Sequence, residues 1–445
     1  MGIAKFMGVM AMMITKREYL YFCVGALVFF FFSFILFKQV PPTKNHMDID
    51  SGAYVQAANF LLRDGSFAIL KTQPYYGLGY PLFLAACKKI SGDSLACIIV
   101  IQVLLAWFIT LLIWRIALLL FNRRAAWIAY ALALTHIGLL VFAQLLLTEI
   151  LLTFLLSLAV ERLLTFILSQ RSSALVGTGF ALGLSCVVKS VALLFLLPLT
   201  VFVVVISWDH QWLKHVFLLL VTFFLPYGAY AFHNHLMFEQ HERSSMVKIN
   251  LFYWFYPRLR AEIYGTNSYD EQRYMQRNVS FKEAQEMLIR DVCTYPNKAA
   301  LALVKNWTKT LFGLYTSNIK LLVDNAYVAG CLSFFSLQGS LVKRLCEYVC
   351  GNTEHTWIKA LGFFEALQLL IRYVLLLFGF AWLVYKRRWM ELFFIVMYLG
   401  YFVGISGHDG CARFRMMIDM IVLPLAAGGW ASLRILCCVR KKRAI

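Results

Sequence analysis

The stretch YLYFCVGALVFFFFSFILF, residues 19–37, followed by His46-Met-Asp-Ile-Asp-Ser-Gly-Ala-Tyr54, decides how the chain is read. The first piece carries no charged side chain and is long enough, as a helix, to cross roughly 30 Å of hydrocarbon. It is full length and lacks an A-x-A cleavage site, so it reads as a retained span rather than a removed signal peptide. Lys5, Lys16 and Arg17 precede it and place the N-terminal segment, residues 1–18, in the cytoplasm. The second piece then presents two carboxylates, Asp48 and Asp50, at the mouth of the bilayer. An unpaired charge is expensive to bury there, so acids at this boundary mark a candidate site.

The apolar pattern recurs along the chain. Of 445 residues, 61% are hydrophobic and only 15% charged, which excludes an ordinary soluble domain and points to an all-α polytopic membrane bundle. The formal net charge of +19 fits basic loops at an anionic membrane face, so nucleic acid is set aside as a partner. Eleven cysteines show no metal spacing, and most lie in apolar runs as small hydrophobes. Cys346 and Cys350, in an outer loop, could pair. Phe6 stands where a myristoylation signal needs Ser or Thr, so that signal fails.

About ten spans follow from the runs: residues 19–37, 95–121, 125–142, 145–168, a hairpin over 174–206 with Lys189 near its outer turn, a span ending at 232, then 361–385, 392–405 and 416–436. Residues 19–232 form an N-terminal membrane module. Its first external loop, 41–93, carries amphipathic helices. Residues 233–359 are the one sizeable hydrophilic region, external by parity and partly helical over 281–293. Its apolar stretch 299–314 can lie on or dip into the membrane. Residues 360–438 hold the last spans, and 439–445 are a cytoplasmic basic tail. Every short loop assigned to the inside carries Lys or Arg, among them Arg123-Arg124, Arg171 and Lys386-Arg387-Arg388. Gly177-x-Gly179-x-x-x-Gly183 misses the dinucleotide fingerprint and reads as close helix packing.

Several polar residues could carry chemistry. Residues 50–63 read as an interfacial helix with Ala53, Ala57, Phe60 and Leu61 on one apolar face. Asp50 either caps this helix or acts as a general base; alternatively Asp48 is the base and Asp50 the cap. Lys71, before Gln73-Pro74 and the tyrosine pair Tyr75-Tyr76, is either part of an ordinary interfacial turn or a cation for a lipid phosphate. Glu149, at the outer start of a span, is either the partner of a nearby cation or a member of the same external cavity as Asp50. Lys189 is a snorkelling lysine or a second phosphate ligand. Arg413 and Arg415 stand on the external side, against the positive-inside trend, after His408-Asp409. They hold a phosphate or carboxylates, or else form salt bridges to Asp409 or Asp419. His233-Asn234-His235 with His241-Glu242 resembles a metal cluster only loosely, and no H-E-x-x-H is present.

In combination these pieces resemble the polyprenyl-phosphate-sugar-dependent glycosyltransferases of the integral-membrane C-type fold. The branch is that of dolichyl-phosphate-mannose protein mannosyltransferases and bacterial lipid A aminoarabinose transferases. The pattern is Asp50-Ser51-Gly52-Ala53-Tyr54, then Leu61-Leu62-Arg63-Asp64-Gly65, then Gly79-Tyr80-Pro81-Leu82-Phe83-Leu84-Ala85. Leu147-Thr148-Glu149, Leu225-Pro226-Tyr227 before His233-Asn234, and Ala412-Arg413-Phe414-Arg415 also fit. Two positions depart from the family: Ser51 follows Asp50 where many relatives have Glu, and His233 replaces a common arginine.

The resemblance implies a membrane enzyme moving a sugar from a polyprenyl-phosphate donor to an acceptor lipid, glycan or protein on the external face. It makes Asp50 the first choice for the catalytic residue, with Asp48 beside it. Lys71, Lys189, Arg413 and Arg415 become the donor-phosphate ligands, and Tyr54, Tyr80 and Glu149 line the cavity. A phosphate leaving group needs cations rather than a proton, so the enzyme must supply a base and positioning, which suits an inverting single displacement. No cofactor follows from the residues; a divalent metal is compatible with the family but unsupported by them. A polytopic transporter or lipid flippase is the competing class, opposed by the absence of an inverted repeat. The sequons Asn278-Val-Ser280 and Asn306-Trp-Thr308 would matter only in a eukaryotic host; a bacterial inner membrane is the expected location.

Overall fold

The computed structural model describes residues 15–40, 50–65, 77–208, 211–238, 250–323, 334–350, 353–408 and 410–443, and all regular structure among them is helical. Helix α1 (Lys16–Gln39) opens on a capping box, with Thr15 and Glu18 bonding each other's backbone N–H. Glu18 also pairs with Arg123, which fixes the start of α1 to the turn that follows the next long helix.

Helices α2 (Ser51–Asp64) and α3 (Gly79–Ser91) pack on each other. Lys88 ties them together, its ammonium donating to Asn59 at 2.7 Å and to Asp93 at 2.8 Å. The sequence places Ala53, Ala57, Phe60 and Leu61 on the apolar face of α2, whereas the structure buries Ser51, Tyr54, Ala57 and Ala58. The buried side of α2 includes Tyr54, whose ring packs edge-on against Tyr80 of α3. Phe60 and Leu61 remain half-buried.

Helix α4 (Leu95–Leu120) is a single long span. Residues 125–142, expected as one span, form two helices, α5 (Arg123–Leu134) and α6 (Ile137–Phe142). The break has a chemical cause. The Thr135 hydroxyl turns back onto the carbonyls of Ala131 and Leu132, and the His136 ring caps α6 by accepting from the Leu139 N–H at 3.2 Å. The next span begins at Glu149 rather than 145, as α7 (Glu149–Ser169). Residues 143–148 are an irregular turn inside the bundle, and such backbone needs protein partners at membrane depth. The Gln102 amide provides two, donating to the carbonyls of Ala143 at 3.1 Å and Leu145 at 2.9 Å.

Helices α8 (Ser172–Val188) and α9 (Leu196–Ile206) form the expected hairpin, joined by Lys189 and the 3-10 turn Ser190–Phe195; α10 (Trp212–Phe238) follows. His215 of α10 lies 3.5 Å from Ser172 and 3.0 Å from Ser207, which gathers one end of the three helices. Gly179 abuts Leu219 and Thr222, and Gly183 abuts Phe223 and Pro226. Helices α8 and α10 therefore run side by side in one direction, with α9 as the return leg. A side chain at either glycine would collide with α10, which accounts for the small-residue spacing seen in the sequence. Lys189 sits at the end of the bundle away from His215.

Beyond α10, the described part of the hydrophilic region begins at a π-helical turn (Asn250–Phe255). It continues as α11 (Tyr256–Tyr264), α12 (Ser268–Asn278), α13 (Phe281–Thr294) and α14 (Pro296–Phe312). These share a second, smaller core that includes Phe252, Tyr256, Leu259, Met275, Ala284 and Leu288. Asn306 of α14 is 4% exposed, and its amide donates to the Gly407 carbonyl at 2.8 Å. Then come α15 (Thr316–Val323) and α16 (Leu341–Cys350), where Cys346 and Cys350 are free thiols on one helix. Helices α17 (Thr356–Tyr385), α18 (Trp389–Ile405) and α19 (Ala412–Arg443) complete the bundle. Helix α19 is its centre: α4, α5, α7, α17 and α18 all pack on it, and residues 414–429 are buried throughout.

Among the described residues, six helices are long and apolar enough to cross a membrane: α1, α4, α7, Trp212–His233 of α10, α17, and Ala412–Leu433 of α19. The shorter apolar runs are α8, Ser190–Ile206 and α18. With the divided α5–α6 pair, these occupy the ten stretches expected from the sequence. The chain is an integral-membrane, all-helical protein.

Candidate functional site

Four of the charged residues singled out in the sequence meet at one end of the bundle. Asp50 occupies the N-cap position of α2 but makes no side-chain capping bond. Its carboxylate instead accepts from the Arg413 guanidinium at 2.9 Å. Arg413, in the first turn of α19, also donates through Nε to Glu149, the first residue of α7. Lys189, at the turn of the α8–α9 hairpin, lies 3.5 Å from the same Glu149 oxygen and 5.3 Å from the centre of the Phe414 ring. One arginine thus bridges two carboxylates contributed by α2 and α7, and a lysine from a third element approaches the inner one.

The two carboxylates differ in setting. The Glu149 side chain is 4% exposed, while that of Asp50 is 33% exposed. The second Glu149 oxygen and the Thr148 hydroxyl are buried without hydrogen-bond partners. Glu149 is therefore the inner anchor that holds the cations, and Asp50 is the member that faces outward. Two acids balance two bases, so a bound phosphate would compete with the carboxylates for Arg413 and Lys189.

Local packing explains how these residues converge. Gly77 and Gly79 at the start of α3 rest directly on the backbone of Val187 and Val188, beside Lys189, where a side chain would not fit. Tyr80 is fully buried and donates to Gln102 at 2.6 Å, and Tyr54 packs edge-on against Tyr80 with ring centres 5.1 Å apart. The hydroxyl of Tyr80 is committed to Gln102, the residue that also holds the 143–148 turn ahead of Glu149. Tyr80 is thus a strut between α3 and that turn.

Arg415 is not brought to this cluster. It is fully buried on the opposite side of α19, where it meets Asp419 and Glu365. Asp48 and Lys71 lie outside the described residues, as does Asp409. Among the described residues no group of three or more His, Cys, Asp and Glu gathers as a metal set. The sequence reading did not single out His136, Tyr315, Glu365 or Arg372, which surround Arg415. A usable signal existed, since Glu365 and Arg372 are charges within an apolar span, a pattern that calls for partners in the bundle interior.

The family model for dolichyl-phosphate-mannose-protein mannosyltransferase matches residues 74–230, a stretch that holds α3, the 143–148 turn, Glu149 and Lys189. That stretch includes Gly79 to Ala85, Leu147-Thr148-Glu149 and Leu225-Pro226-Tyr227 of the resemblance, whereas Asp50 to Gly65 and Ala412 to Arg415 lie outside it. The chain is similar in structure to the apo oligosaccharyltransferase of Archaeoglobus fulgidus, with a TM-score of 0.52 and 13% identity over 97% of this chain and 52% of that one. It spans about half the length of that protein. The same archaeal enzyme, AglB, in complex with an inhibitory peptide and a dolichol-phosphate gives a TM-score of 0.49 at 13% identity, with the same coverage of 97% and 52%. ArnT from Cupriavidus metallidurans bound to undecaprenyl phosphate gives 0.44 at 13% identity, over 89% of this chain and 78% of that one. Of these likenesses the first is close enough to define the fold, an all-helical membrane fold shared with that archaeal oligosaccharyltransferase. Among curated proteins, none matches the chain in sequence.

Proposed function

We propose that the protein is a membrane glycosyltransferase that moves a sugar from a polyprenyl-phosphate carrier to an acceptor glycolipid, glycan or protein. The observation that carries the reading is the Arg413 bridge between the outward-facing Asp50 and the buried Glu149, with Lys189 alongside. A carboxylate and two cations at the mouth of a helical bundle are the groups a lipid-phosphate sugar donor needs. The match of residues 74–230 to the mannosyltransferase family supports the same chemistry.

In this reading the donor phosphate binds at Arg413 and Lys189, with Lys71 of the first loop as a further cation. The bond between the anomeric carbon and the phosphate oxygen breaks as the acceptor oxygen or nitrogen attacks from the opposite face. Asp50 takes the acceptor's proton, with Asp48 the alternative base. The cations take up the charge that develops on the departing phosphate, so no acid is needed on that side. Glu149 keeps the guanidinium and the ammonium in place before the donor arrives. The isoprenoid tail lies between spans, and the acceptor comes from the external side, here the periplasmic face of a bacterial inner membrane. Arg415 has no access to the phosphate and is left out of the ligand set.

The test uses the full chain in proteoliposomes, supplied with radiolabelled polyprenyl-phosphate sugars and membrane extracts as acceptor source. A transferase moves label from carrier to acceptor with inversion at the anomeric carbon. Label that crosses the bilayer while still on its carrier identifies a flippase and refutes the proposal.

A further inference from the structure

We infer that Arg415 is a positioning residue, which aims Arg413 by locking the first turn of α19 to the external helical region. The inference rests on the phosphate role proposed for Arg413. Residues two apart on a helix project about 200° apart around its axis, so Arg413 and Arg415 point to opposite sides. Arg413 reaches the outward cluster. Arg415 reaches a joint where four other segments meet.

The joint uses every part of the guanidinium. Nη1 donates to the carbonyls of Gly313 at 2.5 Å and Leu311 at 3.2 Å, at the end of α14. Nη2 donates to Glu365 of α17 at 3.3 Å, and Nε donates to Asp419 one turn along α19 at 3.2 Å. The guanidinium also lies over the Tyr315 ring, 4.2 Å from its centre. The partners are themselves held. Glu365 accepts from the backbone N–H groups of Tyr315 at 2.7 Å and Thr316 at 2.9 Å. Asp419 accepts from the Tyr315 hydroxyl at 2.8 Å and lies 2.8 Å from Nε2 of His136, at the α5–α6 break.

Three of its acceptors, the Leu311 and Gly313 carbonyls and the Glu365 carboxylate, lie on other elements, and the fourth, Asp419 of the same helix, is itself held by Tyr315 and His136, so the planar fork fixes both the position and the rotation of α19. A lysine offers one point of attachment and fixes neither. Rotation of α19 about its axis is what would carry Arg413 away from Asp50 and Glu149. The same joint registers the end of α14, and with it the external helices, against the turn that presents Arg413.

The experiment is a double-mutant cycle read as affinity for the carrier without its sugar. Undecaprenyl phosphate is titrated into the detergent-solubilised full chain as wild type, Arg413→Ala, Arg415→Lys and the double variant, with thermal melting recorded for each. Each single change is expected to weaken binding about tenfold, and the double variant to bind no more weakly than Arg413→Ala alone, because residues acting through one contact are not additive. Wild-type affinity in Arg415→Lys, even with a lowered melting temperature, overturns the positioning role. So does a double variant that loses the product of the two single losses. No binding by the wild type, or unchanged binding by Arg413→Ala, is instead the failure of the phosphate reading, and the positioning role falls with it. If Arg415→Lys does not fold, Tyr315→Phe takes its place in the cycle. It removes one hydroxyl from Asp419 and is expected to weaken binding by about twofold to fivefold. Wild-type affinity there overturns the proposal in the same way.

Discussion

Asp50→Asn exchanges one carboxylate oxygen for an amide nitrogen on the outward side of the Arg413 bridge. Three roles for Asp50 predict different sizes of effect. As a cap it contributes little that Asn would not, since the two residues cap helices about equally well, and the Asp50 side chain makes no capping bond. As an ion-pair partner it is about one-third exposed, and pairs so open to water contribute about 0.2–1 kcal/mol, a factor of at most roughly five in any rate they control. As a general base it would supply about 10²–10⁴ in rate. The last role is separated from the others by more than an order of magnitude. Initial rates of label transfer from a polyprenyl-phosphate sugar, at saturating donor and acceptor, are therefore expected to fall at least about 100-fold in Asp50→Asn, with melting temperature and expression near wild type. Asp48→Asn should cost less; equal losses at both positions would point to a shared site. A fall of less than about tenfold in Asp50→Asn refutes the base assignment and leaves Asp50 as a tether for Arg413.

Arg413→Ala leaves the buried Glu149 with Lys189 as its remaining cation, which should cost about 3–5 kcal/mol in melting or denaturation measurements. Arg413→Lys should recover much of that stability but not donor use, measured as kcat/KM for the lipid-phosphate sugar; full recovery of both by lysine would show that the fork is unimportant. Tyr80→Phe strands a buried Gln102 oxygen and should cost about 1–3 kcal/mol of stability, with transfer activity retained in the folded fraction. Cysteine labelling of intact cells should reach a cysteine placed at Asn267 and spare one placed at Arg123, the reverse result overturning the orientation. Two acids outside the spans sit below their usual carboxylate range: Glu283, held by the Ser280 backbone and hydroxyl, and Asp93, held by the Lys88 ammonium. Their stabilisation is present above the ordinary carboxylate pKa and fades as pH falls through the lowered values, so melting between pH 5 and pH 2 should show a decline that Glu283→Gln flattens.

The helical membrane class was legible from composition and run length because a lipid solvent leaves a chain few other choices. The α8–α9 hairpin could be read from Lys189 interrupting an overlong apolar run. The division of 125–142 could not, because it depends on where the side chains of Thr135 and His136 turn, and nothing in local hydropathy records that. At the site, Asp50, Glu149, Lys189 and Arg413 were each visible as charges at the edge of an apolar run. That one arginine joins two of them across more than 260 positions of chain is tertiary information. Arg413 and Arg415 look equivalent in the sequence. They differ because residues two apart on a helix point to nearly opposite sides, and only the packing around α19 says which side meets Asp50 and Glu149. The rotated face of α2 has the same origin: periodicity found the helix, but which side is covered depends on contacts such as the Tyr54–Tyr80 ring pair, which join distant parts of the chain.

The seat of Asn306 bears on how this protein can be made. Its amide is the nitrogen that an oligosaccharide would occupy in the sequon Asn306-Trp307-Thr308, and it is spent on the Gly407 carbonyl in a position closed to solvent. In a secretory pathway that glycosylates during translocation, the sugar would be attached before α14 docks against the loop ahead of α19. A glycan there cannot be accommodated once the helices close, so modified chains would be held open beside the very turn that presents Arg413. Production in a host without asparagine glycosylation, or as Asn306→Asp in one that has it, separates yield lost to sugar from yield lost to the missing amide.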